Sequence, residues 1–279
     1  MTIGIVLALA SALAYGAADF VGGIGSRRHS AWQIAAVGQA AGAVVMFAAG
    51  LLSPGDPAAG DYLWALVAGL GSAAGSIFLY LGLSRGRMGL VAPVSGVGAA
   101  LLPLLAGLAY GERPGWLVWL GVLAALPGIW LVSRTSDTQR AANARRSLVY
   151  GACAGVGFGV LFIALDRISS DAGLLPLALN QLVGTAATVV AAVALRQVWR
   201  PSIDSLGWGS VSGVLGAAGT LSFLVATATA SLAITGVLAS LYPAVTVLLA
   251  AAILKERIGP GQRVGILLCT LAVAAMALG

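Results

Sequence analysis

The sequence predicts an all-α integral membrane protein whose ten transmembrane helices form two inverted five-helix repeats. Three observations lead to this fold class. Of the 279 residues, 59% are hydrophobic and only 9% are charged, whereas a soluble domain carries about 25% charged residues. One long polar run, at 133–147, divides two apolar halves, and these halves align with each other. We therefore expect a first repeat at 1–133, a linker at 134–147 and a second repeat at 148–279.

Ten apolar runs have the length of a membrane-spanning helix, which needs about 20 residues. The connections between them are short and contain turn-forming residues, as in SPGDPAAGD and GERPG. The predicted helices are 2–24, 31–52, 61–83, 88–109, 115–132, 148–166, 173–195, 206–228, 232–254 and 262–278. The first run lacks a basic leader, so we expect a retained helix rather than a removed signal peptide.

Lysine and arginine residues lie mainly in the loops that follow the odd-numbered helices. Thirteen of the fifteen basic residues lie there, and only Arg113 and Arg167 lie in the opposite loops. Cytosolic loops of membrane proteins carry an excess of Lys and Arg. The bias therefore predicts a multi-pass protein of the cytoplasmic membrane, with both termini outside and the central linker in the cytosol.

The two halves match in the same order along the chain, with small gaps in the loops. The matched pairs are 73–76 with 217–220, 111–113 with 255–257, Tyr15 with Phe158 and Gln39 with Gln181, at shifts of 142 to 144 residues. Because each copy has five spans, an odd number, the second copy enters the membrane from the opposite side. Inverted repeats of this kind place a substrate site near the membrane midplane, at the interface between the repeats.

Several of these residues resemble those of a known family. They are Tyr15-Gly16 in helix one, the Gly-Glu-Arg and Lys-Glu-Arg turns at 111–113 and 255–257, and the Leu-Ala-Ser-Leu-Tyr-Pro run at 238–243. With the ten helices, they make the whole chain similar to the drug/metabolite transporter superfamily, and to its EamA-type group in particular. Tyr15 stands where that family often has Trp, and 94–98 lacks the Leu-Tyr-Pro of its counterpart. The resemblance implies a secondary transporter of small metabolites, such as amino acids, amines or related solutes, commonly moved outward.

Asp19 is the only carboxylate clearly inside a predicted span, and an ionisable side chain there is costly and marks a functional candidate. Tyr15 lies one turn earlier on the same helix face. One interpretation is that Asp19 faces a central cavity, where it binds a cationic group or carries a proton. The other is that Asp19 is a structural acid, paired with a hydroxyl, a tryptophan or the nearby Arg27 or Arg28.

Amides, hydroxyls and aromatic rings in the other spans complete the candidate substrate-binding site. Gln39 and Gln181 match between the repeats and Asn180 lies beside the second, so these amides either bind substrate or join helices by hydrogen bonds. Aromatic rings with scattered hydroxyls suit a pocket for small amphipathic molecules. The alternative is that the rings face lipid and the hydroxyls bond their own backbone. The further candidates are Ser76, Tyr80, Ser95, Phe158, Phe162, Thr220, Phe223, Ser240 and Tyr242.

Other classes of function have little support in the sequence. His29 lies alone in a loop, and Cys153 and Cys269 lie in apolar runs, so we expect no enzyme, no catalytic residues, no metal and no cofactor. Glu112 and Glu256 precede helices five and ten, where carboxylates stabilise a helix start. The expected partners are a small solute and membrane lipid, with protons as an open alternative, but not nucleic acid. The oligomeric state is left open between monomer and homodimer.

Two alternatives to a solute transporter stay open at the level of sequence. The first is a flippase for lipids or lipid-linked sugars on the same scaffold, which needs a lateral opening between helices. The second is a membrane subunit without transport activity, or an integral membrane enzyme.

Overall fold

The computed structural model describes residues 2–85, 88–111, 113, 115–133, 138–229, 238–239, 241–255 and 258–278. Over these residues the regular secondary structure is helical, as predicted. The α-helices are α1 (Thr2–Arg28), α2 (Ala31–Leu52), α3 (Ala59–Arg85), α4 (Met88–Ala109), α5 (Trp116–Ser133), α6 (Thr138–Asp166), α7 (Leu175–Ala194), α8 (Ile203–Thr229), α9 (Tyr242–Ile253) and α10 (Pro260–Leu278). A short 3-10 turn, Ser170–Ala172, precedes α7.

Seven of the described helices, α1 to α4 and α6 to α8, are long and apolar enough to cross a membrane. The other three are apolar but shorter over the described residues. Large apolar side chains cover much of the outer surface, including Val44, Leu70, Leu123, Val156 and Val190, each more than half exposed. A continuous apolar exterior of this kind is suited to contact with lipid rather than water.

The structure places one helix start well outside its predicted bounds. Helix α6 begins at Thr138 instead of 148, so most of the predicted linker forms its first turns. The linker sequence is rich in Ala and Arg, which are good helix formers, and the helix therefore continues beyond its apolar part. Helix α9 begins at Tyr242, with Pro243 in its first turn, where a missing N–H costs no hydrogen bond. Residues 232–237 of the predicted ninth helix lie outside the described residues.

A two-residue connection turns the chain from α1 into α2. The Trp32 amide donates to the Ser30 hydroxyl at 3.3 Å, and the Ser30 amide donates to the Gln33 side-chain carbonyl at 3.1 Å. This reciprocal arrangement is a capping box, which satisfies amides that have no partner within the helix. The cap fixes where α2 begins and makes α1 and α2 neighbours.

The helices extend between two ends of the molecule. At one end, Arg85 of α3 donates a hydrogen bond to the Tyr150 hydroxyl of α6 at 3.3 Å. Because α6 starts there, directly after the linker, we call it the linker end. At the other end, which we call the loop end, the Asp56 amide donates to the Asp171 carbonyl at 2.9 Å. That bond joins the α2–α3 loop of the first half to the α6–α7 loop of the second.

The two halves are held together by close helix packing. Helix α1 packs on α8, α3 packs on α6, and α2 packs on both α7 and α8. A Cβ on Gly213 of α8 would overlap the backbone of Gly38 of α2, and a Cβ on Gly98 of α4 would lie 2.9 Å from the Gly155 Cα of α6. Lipid provides no hydrophobic drive between helices, so backbone contacts at small residues supply much of the association energy.

Candidate functional site

A cavity of about 830 Å³ lies between the two halves and is lined by helices from both. Most of the site residues predicted from the sequence contribute to it. Those that line the cavity are Tyr15, Asp19, Gln39, Ser76, Tyr80, Phe158, Phe162, Asn180, Gln181, Thr220, Phe223 and Tyr242. Ser95 is only 2% exposed, and it faces away from the cavity that its neighbour Gly96 lines. Ser240 lies outside the described residues.

Within the described part of the chain, the cavity opens at the loop end and is closed at the linker end. Arg113, an exposed residue between α4 and α5, belongs to its lining. Toward the linker end, the Tyr80 ring fills the space above Gly22, where a Cβ would lie 2.5 Å from a ring carbon. Leu83 and Met88, farther toward the linker end, are fully buried. A solute therefore reaches the cavity from one side of the protein.

The hydroxyl of Tyr15 has a defined hydrogen-bonding direction. Its oxygen lies 2.7 Å from the Thr220 hydroxyl oxygen, and Thr220 in turn donates to the Gly216 carbonyl at 3.2 Å. A hydroxyl has one proton to donate. Because the Thr220 proton is committed to Gly216, Tyr15 is the donor in its bond with Thr220.

Tyr80 of α3 repeats this arrangement with another hydroxyl of α8. Its hydroxyl oxygen lies 2.9 Å from the Ser212 hydroxyl oxygen, and Ser212 donates to the Ala18 carbonyl at 2.8 Å. Tyr80 is therefore also a donor to its partner. In both tyrosines the phenol proton is used within the protein, and the oxygen lone pairs are left to accept hydrogen bonds.

Asp19 lies among three tyrosine side chains. The phenol groups of Tyr15, Tyr80 and Tyr242 are each close enough to its carboxylate for an electrostatic interaction. The rings of Tyr15 and Tyr242 meet edge to face, with centroids 6.2 Å apart. Among the described residues, Asp19 has neither a hydrogen-bond donor nor an ion-pair partner.

The arginines that could have neutralised Asp19 have other contacts. The Nε atom of Arg27 donates to the Leu83 carbonyl at 3.1 Å. The Arg28 guanidinium lies over the Trp208 ring, 5.3 Å from its centroid. Of the two interpretations of Asp19, the geometry favours the one in which the carboxylate faces the cavity.

Gln39 forms a hydrogen-bonded connection between three helices. Its Nε2 atom donates to the hydroxyls of Ser72 and Ser76 on α3, at 3.4 Å and 3.3 Å. Its Oε1 atom accepts a hydrogen bond from the Thr188 hydroxyl of α7 at 3.1 Å. Both N–H groups and one of the two oxygen lone pairs of this amide therefore have partners within the protein. This supports the role of Gln39 in joining helices.

The counterpart amides on α7 differ from Gln39. In the described residues, the side-chain carbonyl of Asn180 is buried and has no hydrogen-bond partner. The Gln181 side chain lies against Gly42, where a Cβ would be 2.7 Å from Nε2, and Gln39 lies against Gly184, where a Cβ would be 3.1 Å from Oε1. The two glutamines thus each pack on a glycine of the opposite helix.

Two aromatic rings pack on equivalent glycines. The Tyr15 ring lies on Gly219, and the Phe158 ring lies on Gly75; Cβ atoms on these glycines would come within 3.1 Å and 2.5 Å of the rings. Each ring comes from one half of the chain and each glycine from the other. Phe162, one turn after Phe158, is 46% exposed and lies nearer the loop end.

Three polar residues of the cavity were not predicted from the sequence. They are Ser72, Ser212 and Arg113. Ser212 and Thr220 are eight residues apart with Gly216 between them, and residues at intervals of four share one helix face. Ser72 likewise lies four residues before Ser76. Helix periodicity counted from Ser76 and Thr220, which were predicted, could therefore have identified Ser72 and Ser212.

A family profile and a solved structure match this chain. The sequence profile of the EamA-like transporter family matches it twice, over residues 2–134 and 145–278. A solved crystal structure is similar over 98% of this chain and 95% of its own, with a TM-score of 0.65 and 15% sequence identity, a likeness that shows the fold alone. A comparison with curated protein sequences finds no significant match.

The two profile matches fall on the two halves that the sequence repeat defines, and together they cover nearly the whole chain. The helices, the apolar exterior and the cavity between the halves are those of a multi-pass membrane transporter. The chain belongs to the EamA-like transporter family of the drug/metabolite transporter superfamily.

Proposed function

We propose that the protein is a secondary transporter which moves a small metabolite out across the cytoplasmic membrane by alternating access. The observation that carries the proposal is the cavity of about 830 Å³, built from both halves, reaching the loop end and closed toward the linker end. A site that opens to only one side at a time is what alternating access requires.

Reciprocal contacts support an inverted repeat. Gln39 packs on Gly184 while its counterpart Gln181 packs on Gly42. Twofold symmetry produces such pairs of contacts: when two residues touch, their counterparts in the other half touch as well. Since residue numbers increase in opposite directions along α2 and α7 across this contact, the helices are antiparallel, as expected for a twofold axis in the membrane plane.

The same relation extends to the cavity wall. Exchanging the halves converts the α1–α8 contact into the α6–α3 contact, and both pairs pack closely. It also converts Tyr15 on Gly219 into Phe158 on Gly75. Because the halves have similar interfaces, exchanging their conformations would close the loop end and open the linker end around one site.

The distribution of charge supports an orientation. Arg27, Arg28, Arg85 and Arg200 all lie at the linker end, near the starts of α2, α4 and α8. Basic loops stay in the cytosol, so we assign the linker end to the cytosol and the loop end, with both termini, to the outside. In this orientation the cavity faces outward, the state from which an exporter releases its substrate.

The proposal is tested with the purified protein in sealed lipid vesicles. Vesicles are loaded with labelled amino acids, amines, nucleosides and sugars, and release is compared with protein-free vesicles. We expect protein-dependent release of at least one class. Release of no solute class, together with fast scrambling of labelled lipid, would instead identify a flippase; with neither activity, the chain would be a subunit without transport.

A matched pair of variants links release to the cavity. Ala100 lines the cavity on α4, whereas Leu105 on the same helix is 51% exposed and is not part of the lining. We expect Ala100→Trp to obstruct the cavity and abolish release, and Leu105→Trp to leave release close to wild type. Equal effects of the two substitutions would contradict transport through this cavity.

A further inference from the structure

The two halves differ in how their first three helices contact one another. In the first half, α1, α2 and α3 all pack on one another. Over the residues that the structure describes, the equivalent helices α6, α7 and α8 of the second half do not pack closely on one another. The contacts between the halves are matched, since α1 lies on α8 as α6 lies on α3, and α2 lies on α8 as α7 lies on α3. The first half is therefore closed within itself, and the second half is spread.

A hydrogen-bonded glutamine joins two helices of the closed half. Gln39 of α2 donates to the Ser72 and Ser76 hydroxyls of α3. In the second half, Gln181 of α7 and Thr220 of α8 occupy the equivalent positions to Gln39 and Ser76. Both line the cavity, but the Gln181 side chain has no hydrogen-bond partner in the described part of the chain. One half has thus made this contact between its second and third helices, and the other holds the same groups unjoined.

The Thr220 hydroxyl has room for the bond that Gln181 lacks. A hydroxyl has one proton to donate and two lone pairs that accept. The Thr220 proton goes to the Gly216 carbonyl, and one lone pair accepts the proton of Tyr15. Among the described residues no donor occupies the second lone pair. Thr220 can therefore accept from Gln181, as the equivalent serine accepts in the first half.

We propose that Gln39 and Gln181 exchange roles between the two states of the transporter. In the described state the Gln39 amide holds α2 on α3, and the linker end is closed. In the opposite state the Gln181 amide donates to Thr220 and holds α7 on α8, which closes the loop end, while Gln39 leaves Ser76. Inverted repeats that exchange conformations predict this exchange of contacts. The inference rests on the alternating access proposed above, and it adds the residues that set the balance between its two states.

The exchange is unequal, and this favours the described state. Gly216 occupies the position equivalent to Ser72. Met46 occupies the position equivalent to Thr188, which donates to Gln39. In the opposite state the counterpart of Gln39 thus has one hydroxyl partner instead of three. Because interhelical hydrogen bonds in membranes are individually weak but favourable, we expect the protein at rest to be open at the loop end.

A cysteine in place of Met88 measures the population of the opposite state. Met88 is fully buried at the linker end, and its terminal methyl group lies on Gly23 of α1, where a Cβ would be 2.7 Å away. Opening of the linker end moves α1 away from α3 and α4 and lets water reach the thiol. The measurement is the rate at which a water-soluble maleimide labels Met88→Cys in purified protein whose two native cysteines are replaced by alanine. Labelling is slow because it needs this opening, and its rate follows the fraction of molecules in the opposite state.

Equivalent substitutions of the two glutamines have opposite effects. Gln39→Leu removes hydrogen bonds of the described state, so we expect it to raise the labelling rate of Met88→Cys about threefold or more. Gln181→Leu removes a bond of the opposite state alone, so we expect it to lower the rate about threefold. Substitutions that only loosened the protein would both raise the rate. A change in the same direction for both variants, or no change in either, overturns the inference.

A serine at Gly216 restores the hydroxyl that the second half lacks. A Cβ on Gly216 meets nothing within 4 Å, so a serine fits the described state and gives Gln181 a second acceptor in the opposite one. We expect labelling of Met88→Cys to be about threefold faster with Gly216→Ser than with Gly216→Ala, which fills the same position without a hydroxyl. The difference should vanish when Gln181→Leu is added. No difference, or one that persists without the Gln181 amide, overturns the inference.

The melting temperature of each variant without reagent checks that it folds. Neither Gln181→Leu nor Gly216→Ser removes a hydrogen bond of the described state. These two variants therefore decide the inference even if Gln39→Leu fails to fold.

Release of solute from vesicles keeps this inference distinct from the proposed function. If the labelling rates respond as expected but vesicles release no solute, the exchange of roles stands and the transport function fails. If vesicles release solute but the labelling rates do not depend on the two glutamines, transport stands and the exchange of roles is wrong.

Discussion

Thr188 on α7 donates a hydrogen bond to the side-chain carbonyl of Gln39 on α2, with the oxygen atoms 3.1 Å apart. Both side chains are buried, and Thr188 is completely inaccessible. The bond joins the second half to the first, and the amide nitrogen of Gln39 donates two further hydrogen bonds to serines of α3. One side chain thus ties together three helices around the cavity.

This connection predicts different roles for two glutamines that occupy equivalent positions. We expect Gln39→Ala to lower the free energy of unfolding by about 1–2 kcal/mol, since interhelical hydrogen bonds in membranes contribute about 0.6–2 kcal/mol each. The Gln181 side chain has no hydrogen bond among the described residues, so Gln181→Ala should unfold close to wild type. Denaturant titration of the purified variants in detergent measures both. A loss in Gln181→Ala as large as that in Gln39→Ala would contradict the structural role of Gln39.

Two glycines on α8 predict opposite responses to the same substitution. A Cβ on Gly213 would overlap the Gly38 backbone, whereas a Cβ on Gly207 meets nothing within 4 Å. We expect Gly213→Ala to destabilise the protein by about 1–3 kcal/mol through overpacking. Gly207→Ala should be neutral or stabilising by up to about 1 kcal/mol, because Ala is the better helix former. The melting temperatures of the two variants in detergent measure both effects. A lower melting temperature for Gly207→Ala, with an unchanged one for Gly213→Ala, would contradict the close contact at Gly213.

The hydrogen bonds of the Asp61 carboxylate predict that this side chain stabilises the loop end. Its carboxylate accepts hydrogen bonds from the Ala58 amide at 2.8 Å, the Ser169 amide at 2.8 Å and the Ser169 hydroxyl at 3.0 Å. Residue 61 belongs to the first half and residue 169 to the second, so one carboxylate joins the two loops. We expect Asp61→Ala to cost about 1–3 kcal/mol of stability, because it removes three hydrogen bonds to a charged acceptor.

The control for Asp61 is in the same loop. Asp56 is exposed, and among the described residues its only hydrogen bond to the second half is made by its backbone amide. Asp56→Ala should therefore unfold like wild type in the same denaturant titration. Equal losses for the two variants would show that the loop tolerates no substitution, and that the Asp61 carboxylate has no special role.

The sequence predicted the helices and the pairing of the halves because both depend on local pattern. Apolar runs of membrane-spanning length are visible residue by residue, and the sequence alone aligns Gln39 with Gln181. An acid in an apolar run is equally conspicuous, which is why Asp19 was a candidate. Tyr80 and Tyr242 were candidates as well, but their position beside Asp19 was not predictable, because they come from distant helices and only packing brings them together.

The rotation of α4 about its own axis explains why one predicted site residue does not line the cavity. Ser95 was predicted for the cavity, but it is 2% exposed and Gly96 lines the cavity instead. Adjacent residues differ by about 100° around a helix. Helix α4 is apolar on all sides, so no polar face indicates its rotation. On α8, by contrast, Ser212 and Thr220 mark one face, and both line the cavity.

Access to the cavity predicts a labelling pattern that also tests orientation. Single cysteines are introduced after replacing Cys153 and Cys269 with alanine. Phe162→Cys places a thiol near the cavity mouth, Val156→Cys places one on the outer apolar face of the same helix, and Leu83→Cys places one in the fully buried linker end. Water is needed to form the reactive thiolate. We therefore expect only Phe162→Cys to react with a water-soluble maleimide.

The side from which the reagent reacts decides the orientation. With intact cells and a membrane-impermeant maleimide, we expect labelling of Phe162→Cys, which would place the loop end outside, as the basic residues at the linker end predict. Labelling of Phe162→Cys only in inverted vesicles would place the loop end in the cytosol and contradict the proposed topology. Labelling of Val156→Cys as fast as Phe162→Cys would mean that the outer face of α6 contacts water instead of lipid. Adding the transported solute should slow the labelling of Phe162→Cys, because solute and reagent then compete for the same cavity.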